Sequence, residues 1–413
     1  MSIFHYLCDL PQDANFGMAA RAKADTHPKK IDLSLGTYRD DHGQPRLLRQ
    51  AAVRLAKQQM AADERELEEY LPLEGHEKFA QEARDLLFLG EDNKDRYAEL
   101  CERICSYHCG SCINALYSAM VLYRENMPLA KKAYASDPCY ANYERMCLTA
   151  GFEFGMHPYF TSVEKGIDFE EMIEALKTYE KGSLIILQAS CHNPTGFDLT
   201  PEQWVKVRDV LFEKELIPLI DIAYQGLGSG DMKRDSLVVR IFLEKDMDFF
   251  VAQSFSKNMS LYSARVGVLH CVYKSDYINK RHMLMRNLTL MSRARFGSAE
   301  RHGPEIAYRL MSDPSLRKMW LDELQAMTRR LIKMRQELRN RLEAKKVKGT
   351  WKHITEQIGM FAYLGISQEA VERLQEEFHI YMMLDGRISI AGLNPDNIDY
   401  FVDALCSVLG QQH

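Results

Sequence analysis

The middle of the chain alternates short apolar runs with segments of helical period, and no other feature constrains the fold as strongly. Apolar, β-branched runs at 181–190, 217–225 and 247–256 have the composition of buried strands. The segments between them, 201–216 and 235–245, have helical periodicity. Apolar strands separated by helices are typical of a parallel sheet covered on both faces. We therefore predict an α/β fold with a mostly parallel sheet sandwiched by helices.

The C-terminal part of the chain has a different pattern. Residues 317–346 have the periodicity of one long amphipathic helix, and shorter segments follow it. A chain of 413 residues is also too long for one ordinary core. These features predict a smaller α+β domain beside the large one.

Composition and charge exclude several classes of function. The formal net charge of −5 argues against nucleic acid as the main partner, because phosphate backbones require a basic surface. No run reaches the roughly 18 apolar residues that a membrane span needs. The first residues lack the basic segment and apolar block of a secretory signal, so we expect a cytoplasmic location.

Three cysteines raise the question of a metal site. Cys105, Cys109 and Cys112 are spaced C-x3-C-x2-C, as in radical enzymes that bind an iron–sulfur cluster. However, Cys101, Cys105 and Cys109 also recur at intervals of four residues, and small cysteines are common in protein cores. We favour the core interpretation and predict no metal.

Polar side chains follow three of the predicted strands. Asn193 lies in "CHNPTG" after the first strand, Asp221 and Tyr224 lie at the end of the second, and Lys257 follows the third. In parallel sheets, ligands bind outside the carboxyl ends of the strands. An amide, a carboxylate, a phenol and an amine are therefore predicted at one edge.

Pyridoxal phosphate is a ligand that requires this set of groups. Its aldehyde forms a Schiff base with a lysine, and a carboxylate beside its ring nitrogen improves it as an electron sink. Its phenolate oxygen needs hydrogen-bond donors, and its phosphate needs an anion site. The chain has a residue for each role in that order: Lys257, Asp221, Tyr224 with Asn193, and Ser254 with Arg265.

Several longer stretches resemble one known family. They are "IDLSLGTYRDD", "CHNPTGFDLTPEQW", "LIDIAYQGLGSGD", "AQSFSKNMSLYSARVG" and "FHIYMMLDGRISIAGLN". The chain resembles the aspartate aminotransferases of the fold-type I pyridoxal-phosphate enzymes nearly end to end, and most closely a divergent cytosolic branch. The resemblance implies a homodimer with shared active sites. It also implies an N-terminal arm at 1–13, a small domain at 14–47 and 316–413, and a large cofactor-binding domain at 48–315.

The resemblance also assigns roles to individual residues. Lys257 would carry the cofactor as an aldimine and act with Asp221 and Tyr224 in catalysis. Further cofactor ligands would be Asn193, Ser254, Arg265, Gly110, Ser111, the stacking residue Tyr140, and Tyr70, which reaches the phosphate of the other subunit.

Two arginines are expected to select the substrate. Arg387, in "GRISIAGL", would bind the α-carboxylate of the amino acid bidentately. Arg293, in "MSRARFGS", would come from the partner chain to bind a side-chain carboxylate, although Arg295 is nearby. The other expected substrate contacts are Gly36, Asn193 and Tyr140. Two cations separated by one side chain favour dicarboxylic amino acids and keto acids.

The chain departs from the family at the expected phosphate site. The family has a glycine-rich turn where this chain has "CGSCIN", 109–114. Gly110 and Ser111 retain one glycine and one hydroxyl, so phosphate binding is still expected. Cys109 and Cys112 replace glycines, which would strain a turn that needs positive φ.

Other departures surround the expected catalytic groups. Tyr143 and Gln188 replace histidines behind Asp221, which would lose two of its usual supports. Glu300, in "GSAE", adds a negative charge that would repel a dicarboxylate.

The predicted reaction is ping-pong transamination between L-aspartate and 2-oxoglutarate, giving oxaloacetate and L-glutamate, with activity reduced by these departures. One alternative is a cofactor-binding protein with altered activity, either an amino-acid racemase or a transaminase of other specificity. The other is a catalytically weak or inactive protein that kept the fold.

Overall fold

The structure is a computed structural model, and it describes residues 2–9, 12–44, 51–65, 69–127, 131–161 and 165–411. The strands are β1 (Ile31–Asp32), β2 (Ile104–Cys109), β3 (Lys132–Asp137), β4 (Glu153–Pro158), β5 (Phe160–Thr161), β6 (Gly166–Ile167), β7 (Leu184–Gln188), β8 (Ile217–Ile222), β9 (Phe249–Ser254), β10 (Gly267–Val272), β11 (Phe361–Tyr363), β12 (Ile380–Tyr381) and β13 (Arg387–Ser389).

The α-helices alternate with these strands. They are α1 (Ala14–Ala24), α2 (Ala51–Ala61), α3 (Glu77–Phe88), α4 (Tyr97–Glu102), α5 (Cys112–Asn126), α6 (Asn142–Thr149), α7 (Phe169–Thr178), α8 (Pro201–Glu213), α9 (Met232–Asp235), α10 (Leu237–Leu243), α11 (Arg281–Phe296), α12 (His302–Ser312), α13 (Pro314–Ala344), α14 (His353–Glu356), α15 (Gln368–Phe378) and α16 (Ile398–Leu409). The predicted strands and helices of the middle region correspond to β7, α8, β8, α10 and β9, and the predicted long helix is α13.

The central sheet has seven strands in the order β2-β10-β9-β8-β7-β3-β4. All neighbours are parallel except β10, which is antiparallel to both β2 and β9. The predicted mostly parallel α/β sheet is confirmed. Because β10 reverses direction, β2 runs the same way as β9, and its carboxyl end lies at the same edge as those of β7, β8 and β9.

Both faces of this sheet are buried, which explains its continuously apolar strands. In β7, Ile185 and Leu187 join one core cluster, whereas Leu184 and Ile186 join the other. This alternation follows from the two-residue period of a strand. Helices α7, α8 and α10 contribute to the first cluster, and α5 and α6 contribute to the second.

The chain divides into two compact units. The large unit contains residues 45–333 and 356–359, and it includes the central sheet. The small unit contains residues 1–44, 334–355 and 360–413, and it includes the two-stranded pairs β1–β12 and β11–β13. The domain boundaries expected from the family resemblance stay a prediction. In the described part of the chain, no helix combines the length and apolar character needed to cross a membrane.

Candidate active site

The register of the central sheet brings several predicted residues to one edge. Gly267, the first residue of β10, pairs with Cys109 at the end of β2 and with Ser254 at the end of β9. The loop after Cys109 therefore starts beside the loop after Ser254. The Phe255 N–H donates to the Val266 carbonyl at 3.1 Å, so both ends of the 255–266 loop meet at this edge.

Asp221 is buried, and side chains provide donors to both of its oxygens. The Tyr143 hydroxyl donates to Oδ2 at 2.6 Å, and the Cys112 thiol donates to Oδ1 at 3.2 Å. Burial raises the pKa of Asp221, whereas these two hydrogen bonds and the nearby Lys257 charge act in the opposite direction. We call Asp221, Tyr143 and Cys112 the aspartate end of the site.

The sequence predicts that Asp221 loses two supports because Tyr143 and Gln188 replace histidines. For Tyr143 this prediction is wrong. Its phenol donates directly to the carboxylate, as a histidine N–H could. Gln188 pairs with Asp221 across β7 and β8, but its side chain bonds elsewhere. Its amide donates to the Asn193 carbonyl at 2.9 Å and accepts from the Asn193 N–H at 3.0 Å. Gln188 thus holds the Asn193 backbone rather than the carboxylate.

The cysteines of the C-x3-C-x2-C spacing belong to the core of the large unit. Cys105 and Cys109 lie on β2, and Cys112 begins α5. Burial raises the pKa of Cys105 to about 11 and that of Cys109 to about 12. None of the three cysteines has positive φ, so the expected strain from replacing glycines does not arise. Among the described residues, no group of three or more His, Cys, Asp or Glu side chains could hold a metal ion.

Lys257 lies in the loop that follows β9. Its Nζ lies 4.9 Å from the centroid of the buried Tyr224 ring. Within the described part of the chain, no carboxylate forms an ion pair with this amine. Its charge nevertheless acts to lower the pKa of both Asp221 and Cys112, so the amine lies near the aspartate end.

The loop after β7 holds Asn193 in a buried polar network. Its neighbour His192 contacts the hydroxyls of Ser136 at 2.8 Å and Thr195 at 2.9 Å. The His192 ring is also stacked on Tyr159, with 4.2 Å between centroids. Burial lowers the pKa of His192 to about 3, so this imidazole is neutral at physiological pH.

We call a second group of residues the glycine end of the site: Gly110, Ser111, Ser254 and Arg265. Ser111 is the N-cap of α5, and its Oγ accepts the Asn114 N–H at 3.1 Å. Ser254 is buried, and its Oγ accepts the Ser256 N–H at 3.2 Å. Arg265 is exposed and donates to the Tyr262 carbonyl at 2.9 Å. A helix N-terminus beside a hydroxyl and a guanidinium favours an anion.

Glu300 also lies at the glycine end. A Cβ added at Gly110 would lie 2.6 Å from Glu300 Oε1 and 2.8 Å from Oε2. The two carboxylate oxygens therefore pack against this glycine. Only a residue without a side chain fits at position 110 while Glu300 keeps this position.

Three predicted residues lie toward the surface of the single chain. Tyr140 is half-buried, and its ring meets Tyr143 edge-on at a centroid distance of 5.5 Å. Tyr70 is 85% exposed. Arg293 is exposed in the last turn of α11, whereas Arg295 stacks on Tyr117 at 5.2 Å.

Arg387 and Gly36 belong to the small unit. The buried Arg387 donates from Nη2 to the Asn15 side chain at 2.6 Å and to the Ser34 carbonyl at 2.7 Å. Its guanidinium lies over the Phe361 ring, 4.4 Å from the centroid. A Cβ at Gly36 would lie 2.5 Å from Phe361 Cζ, so this glycine admits the ring that supports Arg387.

The α/β fold and the polar side chains at one edge of its central sheet place this chain in the class of α/β transferases. The chain belongs to the aminotransferase class I and II family, whose model matches residues 28–405. It is accordingly a transaminase, as the sequence predicts.

Named relatives cover almost the whole chain. The cytoplasmic aspartate aminotransferase of Dictyostelium discoideum is 37% identical over 396 residues, covering 96% of this chain and 87% of the relative. The cytoplasmic aspartate aminotransferase of Schizosaccharomyces pombe is 34% identical over 394 residues, covering 95% of this chain and 94% of the relative.

Solved structures have the same fold. The cytoplasmic aspartate aminotransferase of Saccharomyces cerevisiae matches with a TM-score of 0.94 at 32% identity, over 98% of both chains. An aromatic-amino-acid aminotransferase of Burkholderia pseudomallei, covalently bound to pyridoxal phosphate, matches with a TM-score of 0.92 at 35% identity. That match covers 99% of this chain and 100% of the other.

Sequence reasoning missed several of these contacts. The spacing of Cys112 suggests a metal ligand and its position suggests a replaced glycine, but neither interpretation includes the thiol as a hydrogen-bond donor. Nothing local in the sequence indicated that Phe361 and Asn15 surround Arg387, because they come from distant parts of the small unit.

Proposed function

We propose that this protein transfers the amino group of L-aspartate to 2-oxoglutarate, giving oxaloacetate and L-glutamate, with pyridoxal 5'-phosphate as cofactor. The observation that carries the proposal is the buried Asp221 with two neutral donors, near an amine that has no ion-pair partner among the described residues. The relatives named as aspartate aminotransferases support this choice of substrate.

The residues of the large unit fit the cofactor. An ionised carboxylate has about four acceptor positions, so Asp221 can still bind a pyridinium N–H after accepting two hydrogen bonds. Tyr224 and Asn193 would bind the phenolate oxygen. The phosphate would lie at the glycine end, and Tyr140 would stack on the ring. When bound, the cofactor supplies an electron sink for the bond that breaks at the amino acid's α-carbon.

Each protein group has a physical task in this reaction. Lys257 would hold the cofactor through Nζ; once an amino acid has displaced it, the same atom would remove the α-proton and later return a proton. An ionised Asp221 would hold a negative charge in a buried place, where it would stabilise a nearby cation more strongly than water would. Tyr224, whose ring lies beside the amine, would orient Nζ between these two steps.

Substrate selection is assigned to the arginines. Arg387 would bind the α-carboxylate, and its contacts with Asn15, Ser34 and Phe361 fix the plane of its guanidinium. Gly36 would contribute by admitting the Phe361 ring. In a homodimer, exposed Arg293 and Tyr70 of each chain would reach the site of the other chain.

A transaminase of aromatic amino acids is the second candidate. Structural neighbours at 35% identity include aromatic-amino-acid aminotransferases, so identity alone does not separate the two specificities. Arg293 is the candidate for binding a side-chain carboxylate, so a site that it reaches would favour aspartate, and a site without it would favour an aromatic substrate.

The experiment uses the purified full chain with added pyridoxal phosphate. Borohydride treatment should fix the cofactor on Lys257, located by peptide mass spectrometry, and Lys257→Ala should remove both this adduct and activity. The matched control is Lys233→Ala at an exposed lysine. Oxaloacetate formation from aspartate is followed with malate dehydrogenase, phenylalanine and tyrosine test the second candidate, and chiral chromatography of aspartate tests racemisation. An adduct without amino transfer to any keto acid would contradict the proposal.

A cytoplasmic location and a homodimer are also proposed. Cytoplasmic relatives support the location, although a mitochondrial and a chloroplast relative match as well. Cell fractionation and sedimentation equilibrium test these two points.

A further inference from the structure

Glu300 places a negative charge at the end of the site that is suited to an anion. Its two carboxylate oxygens pack against Gly110, as the clash distances of an added Cβ show. The next residue, Ser111, caps α5, a helix of 15 residues. The backbone N–H groups of such a helix start attract anions, and here a side chain of the protein itself already occupies part of that region.

The charge of Glu300 affects the pKa of a neighbouring group, and no direct ion pair among the described residues neutralises it. Burial raises the pKa of Cys109 most, and the Glu300 charge raises it further. Burial also raises the pKa of Glu300, while the Arg265 charge acts in the opposite direction. Across the described ranges, no Lys, Arg or His lies within ion-pair distance of this carboxylate. Arg265 instead donates to the Tyr262 carbonyl at 2.9 Å.

We propose that Glu300 is an internal competitor of the cofactor's phosphate at the glycine end, and that it weakens cofactor binding. This inference rests on the proposed function. A phosphate monoester carries between one and two negative charges at neutral pH, and it would enter beside a carboxylate with a full charge. Like charges in contact are unfavourable, so the Glu300 side chain must turn away or take up a proton before the phosphate is bound.

The position of Glu300 in the chain allows such a displacement. Glu300 lies in the connection between α11 and α12, outside both helices. The residue is exposed to solvent. Gly110, by contrast, directly follows β2 and precedes the N-cap of α5. The carboxylate can therefore move while the backbone groups of the glycine end stay in place.

The test compares two ligands that differ only in the phosphate. Equilibrium dialysis of the full chain measures the dissociation constants of pyridoxal phosphate and of pyridoxal. Glu300→Gln keeps the shape of the side chain and removes its charge, so we expect pyridoxal phosphate to bind about tenfold more tightly. The affinity for pyridoxal should stay within about twofold, because this ligand has no phosphate to repel.

Two further variants make the result specific. Glu99→Gln removes an exposed charge in α4, before the far end of β2, and should leave both affinities unchanged. Glu300→Ala removes charge and bulk, and it should bind pyridoxal phosphate at least as tightly as Glu300→Gln. Circular dichroism establishes that each variant is folded, and Glu300→Ala replaces Glu300→Gln in the comparison if the latter is not.

The outcomes separate this inference from the proposed function. Equal affinity of wild type and Glu300→Gln for pyridoxal phosphate overturns the competition, and so does an equal gain for both ligands. If wild type transfers the amino group of aspartate and Lys257→Ala abolishes both this activity and the borohydride adduct, while Glu300→Gln changes nothing, the proposed function stands and only the competition fails. If neither ligand binds any variant, both fail.

Discussion

The aspartate end and the glycine end of the site differ in the groups that stabilise their charges. At the aspartate end, a buried carboxylate accepts hydrogen bonds from the neutral groups of Tyr143 and Cys112. At the glycine end, the charges of Arg265 and Glu300 influence each other without a direct ion pair, and both residues are exposed.

This contrast teaches which changes each end tolerates. Water cannot replace a missing donor at a buried carboxylate, so a residue that replaces a donor there must itself donate. Tyr143 meets this condition. At the glycine end, Arg265 and Glu300 are exposed, so solvent partly screens an additional charge such as that of Glu300 and lowers its cost.

The largest expected effect comes from removing the charge at the aspartate end. Asp221→Asn keeps the size of the side chain but cannot stabilise a cation as the carboxylate does. Losing a buried, hydrogen-bonded charge pair costs about 4 kcal/mol, so we expect kcat/KM to fall about a thousandfold. Steady-state kinetics with aspartate measure this. A loss below about tenfold would remove Asp221 from the proposed role.

At the glycine end, Arg265→Ala should weaken cofactor binding and leave the chemistry less affected. A hydrogen bond to a charged group contributes up to about 3 kcal/mol, so the dissociation constant of pyridoxal phosphate should rise up to about a hundredfold. Pyridoxal should bind as before, and Arg96→Ala, at an exposed arginine, is the control. Parallel losses for both ligands would show that Arg265 supports the loop and not the phosphate.

His192, in the loop after β7, and Glu300, at the glycine end, should also differ in the sign of their pH dependence. The folded pKa of His192 is about 3, below the unfolded value, so protonation of the unfolded chain destabilises the protein as pH falls from about 6.5 toward 3. This amounts to about 2 kcal/mol between pH 6.5 and 5. The pKa of Glu300 is raised, so its contribution to stability is instead lost as pH rises.

Urea unfolding of wild type, His192→Gln and Glu300→Gln at several pH values measures both signs. His192→Gln should flatten the loss of stability on acidification, even though it also weakens the contact with Tyr159. Identical slopes for wild type and His192→Gln would mean that the folded and unfolded chains bind protons equally at His192, so that burial does not lower its pKa.

The smallest expected effect is at the donors of the aspartate end. Tyr143→Phe removes one hydrogen bond to Asp221 and should lower kcat/KM about tenfold, whereas Cys112→Ala removes a weaker thiol donor and should cost only a few-fold. Steady-state kinetics with aspartate compare kcat/KM of Tyr143→Phe with that of Cys112→Ala. A larger loss of kcat/KM for Cys112→Ala than for Tyr143→Phe would mean that the hydrogen bond to Oδ1 matters more than the one to Oδ2.

Much of the fold and of the site could be predicted from the sequence. The apolar runs and helical segments gave β7, β8, β9, α8 and α13, because strand and helix periods are local properties of a sequence. The order of Asn193, Asp221 and Lys257 along three strand ends predicted one shared edge. The family resemblance placed Tyr143 behind Asp221, but the hydrogen bonds from Tyr143 and Cys112 could not be predicted, since both residues are distant from Asp221 in the chain and become donors only through the packing of α5 and α6.

By itself, the amino-acid sequence determined the family, the α/β class and the identity of the groups at the edge of the sheet. Only the tertiary structure decided which neighbours those groups have. Glu300 shows the physical reason: a carboxylate has the same chemistry anywhere on the chain, but its effect depends on the charges and N–H groups within a few ångströms. Contact with Gly110 is fixed by how the connection before α12 packs, and no local pattern records that packing.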